Sequence, residues 1–191
     1  MEETRILIIR ESDYFKLYSI LEKEMSGAKI SIVVERISLE PIEVLILTQF
    51  IIRQKQRDCS IEITAKGDVL NYLNAIHISD FCIQNLDNPC TLEAISSYTA
   101  MPIRRVEELS MMEYIEGTQA YFKNFSPGKD LGMLNLCLSE LINNVYNHAH
   151  SPIGAYVFCQ HYEGANEIRM AVSDLGIGIP HSVNSFRLGN K

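Results

Sequence analysis

Residues 139–151 read SELINNVYNHAHS, one glutamate, three asparagines and two histidines set among apolar residues at helical spacing. Asparagine is a mediocre helix former, because its amide competes for backbone hydrogen bonds. Glu140, Asn144 and His148 stand at i, i+4 and i+8, so they share one face with a slow drift, and Asn147 lies close by. Leu138, Leu141, Ile142 and Val145 are expected on the opposite side, against a core. The polar stripe is either solvated or lines a cleft. A solvated stripe is more cheaply built from Lys, Glu and Gln, since each Asn costs a few tenths of a kcal/mol of helix propensity. That favours the cleft.

Working outward, the helix is expected from about 130 to 148, with Pro152 ending it. Two strands follow, GAYVFCQHY (154–162) and NEIRMAVSD (166–174), joined by a hairpin-like EGA. DLGIGIP (174–180) comes straight after, with Asp174 at the strand end and Gly176 and Gly178 at alternate positions. Such glycines let the backbone take positive φ and approach a ligand closely. The pattern is neither a P-loop nor a Rossmann fingerprint, for GK[ST] and GxGxxG are both absent. Upstream, SYTAMPIRRVEEL (97–109) leads into a helix through about residue 125, broken by SPGKD (126–130).

The first half alternates strands and helices. RILIIR (5–10), KISIVVER (29–36) and CSIEITAK (59–66) read as strands. Helical stripes fall at 12–25, 40–58 and 68–78. The 40–58 helix has Pro41 in its first turn and Arg53, Lys55 and Arg57 at its end, the right polarity for the helix dipole. Strands separated by connections this long imply an α/β layer. Residues 85–97, NLDNPCTLEAISS, lose the periodicity and mark a linker between units 1–84 and 98–191.

Over 191 residues the apolar content is 47% and the charged content 21%, ordinary for a globular chain. A net charge of −7 argues against a sequence-independent grip on nucleic acid. No apolar run reaches the roughly 20 residues of a membrane span, and MEETRILIIR lacks a signal-peptide layout. Cys59, Cys82, Cys90, Cys137 and Cys159 are scattered and read as reduced thiols, so a cytoplasmic protein is expected. His148 and His150 could open a zinc site, but no third ligand accompanies them.

ELINNVYNHA (140–149) followed by VSDLGIGIP (172–180) resembles the N-box and first glycine box of the GHKL (Bergerat-fold, HATPase_c-type) ATP-binding proteins, among them histidine kinases, anti-sigma serine kinases and gyrase. The motif order and the intervening strand pair are similar too, and Glu with Asn at +4 and His at +8 looks most like the anti-sigma-factor serine kinases and related histidine kinases. The resemblance implies ATP and Mg2+ as cofactors. Asn144 would give its amide oxygen to Mg2+, a hard cation that takes oxygen ligands. Glu140 would be the general base, or would orient the attacking hydroxyl or water. Asp174 would accept the exocyclic amino group of adenine, with Gly176 and Gly178 shaping the adenine pocket. Asn143 fills a position where the family often has Thr. Asn147 and His148 would support phosphates or merely pack.

The family continues through a flexible lid to a second glycine-rich box, whereas this chain stops at SFRLGNK, with Arg187 and Gly189 as the lid's possible beginning. The expectation is therefore an incomplete Bergerat domain, inactive as it stands. The first unit resembles, more loosely, a STAS domain, the fold of anti-sigma-factor antagonists. Ser38 would fall at that family's phosphoacceptor position, but the Asp-Ser-x-Gly context is missing and an unmodified turn serine is the alternative.

Taken together, the expected fold class is α/β (α+β): a STAS-like α/β domain followed by an incomplete Bergerat α/β sandwich. The expected function is an ATP-binding signalling regulator whose intact parent is an anti-sigma-type serine/threonine kinase, with a protein partner of the sigma-factor or anti-sigma-antagonist type. A non-catalytic sensing module with a degenerate nucleotide site is the alternative, as is the ATPase part of a histidine-kinase-like protein. His77 does not sit in an HE-type phosphoacceptor helix, which speaks against a histidine autokinase. A homodimer pairing through an open sheet edge is left open.

Overall fold

The computed structural model describes residues 4–10, 27–36, 39–83 and 99–178, together with Ser19. The expected 12–25 helix (apart from Ser19), Ser38, the 85–97 linker, Arg187 and Gly189 lie outside the described residues.

Strands β1 (Thr4–Ile9), β2 (Lys29–Val34) and β3 (Ser60–Thr64) form a parallel sheet in the order β1-β2-β3. The register places Leu7 beside Ile32 and Ile32 beside Ile63. Successive side chains of a strand point to opposite faces, so Ile30, Ile32 and Val34 share one face, and all three are buried. Helix α1 (Pro41–Lys55) connects β2 to β3. Pro41 occupies its first turn, where a missing N–H costs nothing. The Glu40 N–H donates to Glu43 Oε2 at 2.7 Å, while Glu43 Oε1 takes a 2.6 Å bond from Arg36. That pairing allows Glu43 to be buried.

Two short helices follow, α2 (Asp68–Ala75) and α3 (Asp80–Ile83). The second sheet is antiparallel, with order β4 (Arg104–Val106), β5 (Ala155–Tyr162), β6 (Glu167–Ser173). Helices α4 (Met111–Lys123) and α5 (Gly132–Asn144) lie between β4 and β5 in the chain. The fold is α/β, with one parallel and one antiparallel sheet among the described residues.

Strand β5 shows how the layers stack. Ala155, Val157 and Cys159 belong to a core built with α4 and α5 through Tyr114, Ile115, Phe122, Leu134, Leu138 and Ile142. Tyr156 and Phe158, on the opposite face, belong to a core built with α1 and the parallel sheet. A strand covered on both faces reads as a continuous apolar run, and AYVFC is one. Burial also pushes the Cys159 thiol up to about 12.

Helix α1 is the middle layer. Val44, Leu45, Leu47, Phe50, Ile51 and Ile52 are all buried, so the covered face takes up more than half of the helix circumference, while Ile42 and Arg53 stay exposed on the remaining stripe. Burial of these six side chains contributes on the order of 10 kcal/mol before the entropy of ordering them is subtracted. Polar contacts tie the same layers together. Arg169 of β6 donates Nη1 to both carboxylate oxygens of Glu40, at 2.9 and 3.0 Å, with its guanidinium 4.3 Å from the Tyr162 ring centroid. The Tyr72 hydroxyl lies 3.1 Å from Gln160 Oε1, and the Ile103 N–H donates to the Ile76 carbonyl at 3.0 Å.

Two expectations about the asparagine helix change. Its α-helical part ends at Asn144, and residues Val145–Ala149 form a π turn. Leu141, expected in the core, is 42% exposed, as are Leu136 and Met133 more strongly; Leu134, Leu138, Ile142 and Val145 carry the buried side. The apolar spacing on this helix is wider than the stripe the sheet covers.

Candidate functional site

Helix α5 and the π turn that follows it present Glu140, Asn144, Asn147 and His148 as exposed side chains, with Asn143 half-buried. Glu140 and Asn144 keep the α-helical i, i+4 relation. Four residues advance an α-helix by one turn and about 40°. The π turn closes i to i+5 instead, so each residue rotates by less, which offsets that drift. His148 therefore stays near the Glu140–Asn144 stripe. His150 closes the turn in the left-handed region at φ 51°, a conformation that costs a non-glycine residue roughly 1–2 kcal/mol.

The glycine stretch after β6 is held against the end of this helix. The Ile177 N–H donates to the Ala149 carbonyl at 2.8 Å, and the Leu175 N–H to Ser151 Oγ at 3.3 Å. Ser151 Oγ itself donates to the Gly154 carbonyl at 2.9 Å. Gly176 is required by this approach: a Cβ there would stand 2.0 Å from the Ala149 carbonyl oxygen and 2.8 Å from the Ala149 Cβ. Gly178 is required for a different reason, its φ of +71°.

Asp174 is half-buried at the mouth of this loop. Its Oδ1 accepts the Gly176 N–H at 2.6 Å, which fixes the carboxylate in a local turn. Its main-chain carbonyl accepts from Gln49 Nε2 of α1, also at 2.6 Å. The loop that carries Asp174 thus meets the Ala149 end of the asparagine helix through Gly176 and Ile177. Asn144 stands five residues back from Ala149, roughly 6–8 Å along the axis, and Glu140 one α-turn further. Among the described residues, no hydrogen bond or ion pair occupies the side chains of Glu140, Asn143, Asn144, Asn147 or His148.

The arrangement offers exposed amide and carboxylate oxygens on a helix, next to a glycine loop carrying a half-buried carboxylate. Amide and carboxylate oxygens suit a hard divalent cation, and glycine backbone beside a fixed acceptor suits a flat polar ring. No cluster of three or more His, Cys, Asp or Glu side chains that could hold a metal occurs among the described residues. A cavity of about 320 Å3 between β4 and α4, lined by Arg104, Glu113, Tyr114 and Tyr121, includes none of the predicted residues.

Three contributors were not named from sequence. Ser151 belongs to the quoted stretch, directly before Pro152, where a small hydroxyl residue after a helix signals a turn bond. The Ala149 carbonyl carries no side-chain signal at all. Gln49 is separated from Asp174 by 125 residues, and only the lone amide in the run VLILTQFII marks it. Comparison with protein-family models, curated proteins and solved structures returned no match.

Proposed function

We propose that this chain binds ATP with Mg2+ and belongs to a signalling regulator whose intact form is an anti-sigma-type serine/threonine kinase. The observation that carries the reading is the seating of the Asp174–Gly178 loop on the end of the helix that bears Glu140 and Asn144, through the Ala149 carbonyl and a glycine that admits no side chain. In this reading Asp174 accepts the adenine amino group, and Gly176 and Gly178 let the backbone approach the ring. Asn144 offers its amide oxygen to Mg2+, and Asn143, Asn147 and His148 lie along the phosphate side. Glu140, a carboxylate one turn from Asn144, takes the proton of the attacking hydroxyl or orients it.

The N-terminal α/β segment is the regulatory, STAS-like part, and the protein partner is of the sigma-factor or antagonist type. No described helix is long and apolar enough to cross a membrane, and the proposed setting is the cytoplasm. Calorimetric titration of the chain with Mg-ATP tests the reading. Saturable binding that weakens in Asn144→Ala supports it; no binding, or equal binding by the variant, removes it. In the kinase reading Glu140→Ala in the intact form retains ATP binding and loses phosphotransfer, by roughly 10²- to 10⁴-fold for a general base. Unchanged turnover would take Glu140 out of the mechanism.

A further inference from the structure

We propose that Gln49 is a positioning residue for Asp174, through which helix α1 of the N-terminal segment controls the adenine end of the candidate site; the inference rests on the nucleotide reading above. The loop after β6 has three anchors. Two, the Ala149 carbonyl and Ser151 Oγ, come from the end of the asparagine helix. The third is the 2.6 Å bond from Gln49 Nε2 to the Asp174 carbonyl, and it comes from the other half of the chain.

The bond acts on the residue that reads the base. Asp174 Oδ1 is already committed to the Gly176 N–H. The orientation of the Asp174 peptide then decides where Oδ2, which has no such partner among the described residues, is aimed. Holding the carbonyl from α1 fixes that peptide plane. Helix α1 is a firm support because Val44, Leu45, Leu47, Phe50, Ile51 and Ile52 are buried on its several sides. It also grips β6 at a second point, where Arg169, five residues before Asp174, pairs with both carboxylate oxygens of Glu40. Displacement of α1 against the second sheet therefore moves Asp174 at its carbonyl and β6 along its length. Coupling of this kind is reciprocal, so a nucleotide that orders the loop also tightens the seat of α1.

Full-length Gln49→Leu, which removes the donor at similar volume, and Gln49→Lys, which keeps a donor of similar reach, test this by titration with Mg-ATP and Mg-GTP. Losing one hydrogen bond of ordinary strength predicts Mg-ATP binding about three- to tenfold weaker in Gln49→Leu. The preference for ATP over GTP narrows in the same variant, because the base reader is loosened, while Gln49→Lys stays close to wild type. Equal affinities and an equal ATP-to-GTP ratio in all three proteins, with or without a lower Tm for Gln49→Leu, overturn the proposal and leave the nucleotide reading intact. Absence of Mg-ATP binding by the wild type removes the nucleotide reading and, with it, control of an adenine site. Amide hydrogen exchange without nucleotide then decides the positioning itself: faster exchange at Gly176 and Ile177 in Gln49→Leu supports it, and unchanged exchange overturns it.

Discussion

At the scale of single residues, Gly176 and Asp174 carry the most specific claims. The glycine is set by proximity, since the Ala149 carbonyl oxygen occupies the space a side chain would need. Gly176→Ala is expected to lose roughly 1–3 kcal/mol, the usual cost of forcing a methyl into a filled site. It should also abolish nucleotide binding, because the loop must leave the helix end to relieve the clash. Urea unfolding and titration with Mg-ATP check both outcomes, and a variant of unchanged stability would mean that the loop does not sit on Ala149. The glycines and Asp174 were legible in the sequence as a pattern. The reason for Gly176 was not, because it lies in a main-chain atom of another segment.

Helix α1 decides most at the level of elements. Its termini were readable, with Pro41 at the start and Arg53 and Lys55 in the last turn. Its role as a middle layer was not read from the sequence, although the dense apolar run VLILTQFII is consistent with cover on more than one side. The phenyl ring of Phe50 is buried at its centre. Phe50→Ala should cost about 3–5 kcal/mol, the range for truncating a core aromatic. Because α1 serves both sheets, that loss should lower one common unfolding transition, measured by calorimetry, rather than split off the N-terminal half. The asparagine helix is the counter-example. Its polar face was read correctly at Glu140 and Asn144, whereas Leu141 falls outside the covered stripe, and a local i→i+5 turn gives no periodic warning in so short a stretch.

For the whole molecule, the joint between the two sheets sets the pH response. Tyr72, in that joint, has its phenol pushed far above the usual tyrosine range, first by burial and then by neighbouring Tyr162. Tyr114, in the other core, is raised for the same first reason, with Cys159 next. A raised folded value means that the neutral phenol is favoured in the native state. The stabilisation is complete below the unfolded value of about 10 and declines as pH rises above it. Stability should therefore be insensitive to these groups up to about pH 10, then fall by as much as about 1.4 kcal/mol per pH unit for each such tyrosine. Tyr72→Phe should lower stability at neutral pH by about 1 kcal/mol through its lost hydrogen bond and show a shallower alkaline decline. Urea midpoints between pH 8 and 11 would reveal the difference; parallel curves would place the alkaline sensitivity elsewhere.

By itself the sequence determined the local elements: β-branched runs gave strands, the stripe around Leu138 and Ile142 gave a helix, and D-L-G-I-G after a strand gave a tight loop. These follow from interactions within a few residues of one another. Tertiary structure decided what the loop rests on, which side chain holds it, and which of the helix's leucines are covered. Those outcomes depend on main-chain carbonyls and on an amide 125 residues away, groups whose meeting is set by packing both faces of one sheet. The quoted asparagine helix thus gains the glycine loop pressed on Ala149 as its partner, and Gln49 of α1 holds that loop in place.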